Sequence, residues 1–276
     1  MPLFNRKTAV LCSLLMMSFS NSALVQAAES SKLLDIINSN HRSEDNKQRD
    51  VYRHPLQTLN FFQIKPEMTV VEVWPGKGWY TEILAPYLKN GGGQFIAAGF
   101  PQHDGPLWRQ EMQADYQNWL ATMPKMYDKV KVVELGPPTY WTLGADNSVD
   151  AVLTFRNVHN WIKGNYDNEM FNAFYQVLKP GGILGVTDHR ATLGTDLATM
   201  KSSGYLEQDF VIKQAEKAGF VLEATSEINA NSQDTKDYTK GVWTLPPTLR
   251  LGEQDKVRYQ AIGESDRMTL RFRKPK

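Results

Sequence analysis

Cysteine is nearly missing from this chain: Cys12 is the single example in 276 residues, and it lies in an apolar stretch near the amino terminus. Beyond that stretch no disulfide, thiolate metal site or cysteine nucleophile is available, which suits an oxidising compartment. An excess of one charge is missing too. With 31 basic against 30 acidic side chains and a net charge of +1, the chain has no bulk attraction for nucleic-acid phosphates or anionic lipid, so no nucleic-acid partner is expected. There is no low-complexity tract, no internal repeat, and no apolar run of the roughly 20 residues that a membrane-spanning helix needs. Histidine is scarce: positions 41, 54, 103, 159 and 189 have no close metal-ligand spacing, and no metal is expected.

The apolar stretch that does exist has the form of a secretory leader. Arg6 and Lys7 precede Thr8 to Phe19, and Val25 with Ala27 supplies small residues for cleavage after Ala27, the alternative being an uncleaved anchor. Leu11 stands where a lipoprotein signal would carry a small residue. A leader over 1–27, a polar extension over 28–54 read as a solvated helix or linker, and one α/β domain over 55–276 are expected. Within that domain 229–266 is long for a connector and is a candidate lid. The expected location is periplasmic or secreted, with no stable membrane anchor once the leader is removed.

The richest segment is VVEVWPGKGWYTEILAPYL, Val70 to Leu88. Val70, Val71 and Val73 form the β-branched run of a strand covered on both faces, and Gly76 and Gly78 let backbone pass close to a ligand. Ile83, Leu84, Tyr87 and Leu88 then fall at helical spacing, so the helix start offers free N–H groups to an anion. Further strands are expected at QFIAAGF, Val130 to Leu135, DAVLTF from Asp150, ILGVTD, Val221 to Ser226 and MTLRFRK. Helices are expected at about Leu56 to Phe62, Leu107 to Met126, Asn168 to Leu178 and Glu207 to Ala218, with KPGG ending the third before its strand. The fold expected is α/β: a Rossmann-like, seven-stranded, mostly parallel sheet with an antiparallel C-terminal strand and helices on both faces.

EVWPGKG, then DNSVDAVLTFRNVHNW, then FYQVLKPGGILGVTDHR resembles the class I S-adenosylmethionine-dependent methyltransferases, from about Val51 onward. Within that superfamily the chain is most similar to a bacterial group of secreted methyltransferases, named by fold, that carry YRHP-like, WPGxGWYTEILAPYL, VTDHR-like and RFRKP segments. The resemblance implies S-adenosylmethionine as cofactor and a small-molecule methyl acceptor. It implies that Glu72, Trp74, Gly76 and Gly78 hold the methionine end, with Trp79 and Tyr80 covering it or packing on the sheet. It places Asn157 and Val158 beside the adenosine and the acceptor. Three departures stand out: Trp74 replaces the first glycine of the turn, Gly99 stands where a ribose-binding acid would end the second strand, and Gly136-Pro137-Pro138 replaces an acid near the adenine.

Methyl transfer needs alignment and removal of the acceptor's proton, and no metal. His159, just past the fourth strand, is the candidate base, or else a histidine capping a turn. Asp188 and His189, with Arg190, end the fifth strand on the ligand-binding edge and either orient the acceptor or fix the next loop. The expected activity is therefore methyl transfer to a small acceptor. The alternative, motivated by the departures, is a periplasmic binding protein that keeps the fold and has lost catalysis. A nicotinamide oxidoreductase is disfavoured because the turn lacks GxGxxG spacing.

Overall fold

The computed structural model describes residues 27–276, so all of the expected leader but Ala27 lies outside the described residues. Seven strands run β1 (Thr69–Val73), β2 (Gln94–Gly99), β3 (Lys131–Glu134), β4 (Val149–Phe155), β5 (Leu178–His189), β6 (Val221–Ser226) and β7 (Arg267–Arg273). They form one sheet of order β3-β2-β1-β4-β5-β7-β6. β1 to β5 pair in parallel, whereas β7 is antiparallel to both β5 and β6. This is the Rossmann-like arrangement expected, with the terminal hairpin-like pair closing one side.

Strand alternation divides the core. Val71, Val73, Val152, Leu184, Val186, Leu270 and Phe272 face one layer, while Val70, Ala97, Ala151, Leu153 and Ile183 face the other, as a sheet with two covered faces requires. The first layer is completed by α8 (Val158–Gly164), α9 (Asp167–Val177), α10 (Leu197–Ser203) and α11 (Gln208–Lys217). The second is completed by α5 (Thr81–Gly91), α6 (Leu107–Thr122) and α4 (Pro55–Phe61). The helix expected over Leu107 to Met126 divides at Met123, because Pro124 opens the separate turn α7 (Pro124–Tyr127) and proline cannot continue a hydrogen-bonded helix. KPGG does not precede β5 but belongs to it. Its extra residues are absorbed by a register shift between Val149 and Ala151 in the β4 to β5 pairing.

The segment read as a solvated helix or linker is packed onto the domain. Leu33 and Ile37, in the helix α1 (residues 27–37), are buried with Leu59, Phe62, Trp79 and Ile83. After it come α2 (Glu44–Lys47) and α3 (Asp50–Arg53). Arg42 is buried against Asp50 and Glu82, and Arg53 against Glu264. Polar composition suggested solvent here; specific pairing of those charges is what lets them be buried. The candidate lid contains a short 3-10 helix at Gly241–Thr244 and α12 (Lys256–Ile262). Its ends are tied down: Asn229 Nδ2 donates to Thr58 and Thr269 hydroxyls, and Asp234 accepts from Tyr205 Oη and the Asp266 N–H.

Candidate active site

The turn between β1 and α5 needs three residues with positive φ: Trp74 at 48°, Gly76 at 59° and Gly78 at 80°. Gly78 is required twice over, since a Cβ there would sit 2.5 Å from the Trp119 ring of α6. Around Gly76 the space is open, with nothing within 4 Å of a Cβ. That opening belongs to a cavity of about 590 Å³ between the turn, α6 and Ser43–Asn46 of the N-terminal segment. Asp45, Glu82, Glu111 and Asp115 line it against a single cation, Lys77, so its field favours a cationic ligand. A smaller cavity of about 180 Å³ shares Gly76, Trp108 and Met112 with it. Here the walls are aromatic: Trp74 and Phe100 lie 4.6 Å apart between ring centres, and the Arg109 guanidinium sits 5.0 Å from the Trp74 ring and 5.1 Å from Phe100.

The expected cofactor residues separate into two groups. Gly76 lines both cavities, and Trp74 and Asn157 line the aromatic one. Asn157 is oriented by donating to the Val73 carbonyl at 2.8 Å, and the Trp74 indole by donating to the Leu135 carbonyl at 2.9 Å. Glu72 lies instead beneath the turn, in the α5 and α6 layer. Its carboxyl accepts from Thr81 Oγ1 at 2.9 Å, and burial pushes its pKa up to about 8, the Thr81 bond and Arg53 opposing in part. Trp79 is held by the N-terminal segment, donating to the Asn46 carbonyl at 3.0 Å with the Arg53 guanidinium 4.6 Å from its ring. Tyr80 stacks on Phe155 with ring centres 3.5 Å apart. Val158 is fully buried in the other core layer, and its N–H donates to Asp188. Gly99 admits the Gln113 side chain, which a Cβ would strike at 1.9 Å; Gln113 Oε1 accepts from the Phe100 N–H at 3.1 Å. Asp104, the nearest acid to Gly99 in sequence, is engaged by the Tyr140 hydroxyl at 2.6 Å.

His159, Asp188 and His189 are brought together as one cluster at the carboxyl ends of β4 and β5. Asp188 is wholly buried and accepts from the Val158 N–H at 2.7 Å, the His189 N–H at 2.7 Å and His159 Nδ1 at 2.9 Å. A carboxylate so placed accepts a hydrogen bond from Nδ1–H and leaves Nε2 of His159 with the free lone pair. His189 bonds through Nδ1 to the Ser265 hydroxyl. Its pKa is held well below the usual histidine value, first by burial and then by His159, Arg156, Arg267 and Arg53, so it is neutral. Potential ligand atoms of the three residues all lie within 4.8 Å of one another, a grouping that sequence spacing did not reveal. Asp188 has its oxygens occupied by N–H donors, which makes the cluster a carboxylate-oriented histidine rather than an open ligand set.

Sequence reasoning missed Gln113, Arg109 and the α6 acids Glu111 and Asp115. The acids stand four apart, hence on one helix face, and that spacing was a usable signal. Nothing local marked Gln113 or Arg109, whose roles come from packing against β2 and the Trp74 turn.

No protein-family model matches the chain, and no curated protein is similar to it at a significant level. Solved structures are similar in fold. A SAM-dependent methyltransferase from Aquifex aeolicus aligns with a TM-score of 0.55 at 15% identity, over 89% of this chain and 98% of that one. The [4+2]-cyclase SpnF aligns with a TM-score of 0.59 at 16% identity, over 86% of each chain. Phosphoethanolamine N-methyltransferase 2 from Haemonchus contortus, in complex with phosphomonomethylethanolamine and S-adenosylhomocysteine, aligns with a TM-score of 0.56 at 15% identity, over 88% of this chain and 61% of that one. The chain therefore has the Rossmann-like fold of the S-adenosylmethionine-dependent methyltransferases, and at these identities the likeness is one of fold.

Proposed function

We propose that this protein is an S-adenosylmethionine-dependent methyltransferase acting on a small-molecule acceptor. The observation that carries the reading is the pair of adjoining cavities that share Gly76, one aromatic at Trp74 and Phe100 and the other acidic at Asp45, Glu111 and Asp115. Its chemistry fits a ligand with a purine at one end and a sulfonium and ammonium at the other, and its volume lies in the usual range for cofactor sites. When bound, the cofactor supplies an electrophilic methyl group. The chain's own contribution is positional. Gly76 leaves its backbone open to the ligand, Arg109 and Trp74 form an aromatic and cationic wall, and the Ser43–Asn46 turn covers the cleft. Asp188 holds His159 so that Nε2 accepts the acceptor's proton. The comparisons give no support to a binding protein that has lost catalysis.

Calorimetric titration with S-adenosylmethionine and S-adenosylhomocysteine tests this directly. Saturable binding is expected, and it is abolished by a bulky side chain at Gly76 but retained in His159→Ala. Absence of binding at millimolar ligand overturns the proposal. We also propose that residues 1–27 are a cleaved leader and that the protein belongs among secreted methyltransferases. Material recovered from the periplasm should begin at Ala28 or its neighbour; a mature chain that still begins at Met1 contradicts it.

A further inference from the structure

Beside the His159 cluster lies a third cavity of about 160 Å³, bounded by Arg156, His159, His189, Trp243, Pro247 and Thr248. We propose that it is the subsite for an anionic group, carboxylate or phosphate, carried by the methyl acceptor. The inference rests on the methyl-transfer reading for the word acceptor, but the anion site itself does not.

Arg156 is the reason. Its guanidinium makes no hydrogen bond or ion pair with any described residue, although the side chain is partly buried. The anions around it are already committed. Glu264 is shared among Arg49 at 2.7 Å, Arg53 at 3.2 Å and Arg267 at 3.0 Å. Asp188 is saturated by backbone N–H groups and His159. Arg156 is thus a partly buried cation with no anion paired to it among the described residues, and it is open to the cavity, where an arriving anion can pair with it. Its backbone is strained as well, with φ at 61°, and is pinned there by its N–H donating to the Thr187 carbonyl at 2.7 Å. A bulky residue held in this region costs free energy and marks a position where placement of the side chain matters.

Two further cations lie beyond the lining: Arg250 and Lys163 are 4.8 Å and 5.8 Å from the ring centre of Trp243, which itself bounds the cavity. A divalent cation on His159, Asp188 and His189 would have to enter against these charges and displace the donors on Asp188. An oxyanion meets none of that opposition, and a guanidinium fork matches carboxylate and phosphate alike. The cavity volume admits one such group, so the remainder of the acceptor must lie outside it.

The test uses the full-length protein, wild type and Arg156→Gln, titrated calorimetrically with inorganic phosphate, acetate and S-adenosylhomocysteine in separate experiments. Saturable binding of phosphate or acetate is expected, weakened at least about tenfold by Arg156→Gln and partly restored by Arg156→Lys. Circular dichroism and affinity for S-adenosylhomocysteine should be unchanged. A preference for phosphate points to a phosphorylated acceptor, and a preference for acetate to a carboxylate. The proposal is overturned if neither anion binds, if Arg156→Gln binds them as wild type does, or if S-adenosylhomocysteine competes with them, which would assign Arg156 to the cofactor. Saturable Zn²⁺ binding abolished by His189→Gln would overturn it in favour of a metal centre. If the anions bind through Arg156 while S-adenosylhomocysteine does not bind at all, the methyl-transfer reading falls and the anion site stands.

Discussion

Asp188 and His159 form a pair in which one residue is structural and the other is free to react. Replacing Asp188 by alanine strands the N–H groups of Val158 and His189 in a buried place, at about 1 to 3 kcal/mol for each orphaned donor. Asp188→Ala should therefore lower stability by several kcal/mol in denaturant unfolding, whereas His159→Ala should change it far less. Equal losses would mean that His159 is a packing residue. The positions of His159, just past the fourth strand, and of Asp188, at the end of the fifth, were legible in the sequence, and folding brings the two side chains into contact. Glu72 was expected at the methionine end of the cofactor. The two-residue period of the strand turns it away from Val71 and Val73, under α5, where Thr81 Oγ1 donates to its carboxyl. Arg156 stood within the quoted motif, but its lack of a partner is a property of three-dimensional neighbours.

At the scale of elements, the β1 to α5 turn separates two kinds of glycine. Gly78→Ala should be the more damaging change, because its Cβ would collide with the Trp119 ring in addition to the φ penalty. Gly76→Ala meets open space and should lose only about 1 kcal/mol for its left-handed backbone; thermal unfolding of the two variants checks the order. The N-terminal segment is a second such element. Glu264→Ala leaves Arg49, Arg53 and Arg267 without their shared carboxylate, and a loss of about 3 to 5 kcal/mol is expected for breaking so buried a pairing. Arg49→Ala should cost much less, since its side chain is 25% exposed and Glu264 keeps two partners. If the two variants are alike, the segment is not held by this network. Composition could not disclose it: Arg53 and Glu264 are 211 positions apart, and only the packing of α3 against the residues before β7 brings them into contact.

Two buried groups of opposite sense contribute to the pH response of the whole molecule near neutrality. His189 is held below its ordinary value, so its contribution is complete above about pH 6.5 and is lost as pH falls. Glu72 is raised from 4.5 to about 8. The folded state therefore holds a proton that the unfolded state has released, and stability declines as pH rises through that window, by up to roughly 1.4 kcal/mol per unit. Between about pH 4.5 and 6.5 the two slopes oppose each other; above that, Glu72 acts without His189. Glu72→Gln should flatten the decline between pH 6.5 and 8 and, with the opposing slope removed, steepen the rise in stability between about pH 4.5 and 6.5, as read from denaturant midpoints across pH. A persistent decline in this variant would show that another group is responsible.

The linear order of hydrophobic runs, glycine turns and helix stops was enough to determine an α/β sheet of seven strands, because strand period, helix period and turn chemistry are local properties of the chain. It also placed His159 just past the fourth strand and Asp188 and His189 at the end of the fifth, on one edge of the sheet. Tertiary structure alone decided which residues face the cleft, how the polar N-terminal segment packs against the domain, and how closely His159, Asp188 and His189 approach one another. Those outcomes depend on charge pairing and steric fit between residues distant in sequence, and such contacts have no signature until the sheet brings its edges together.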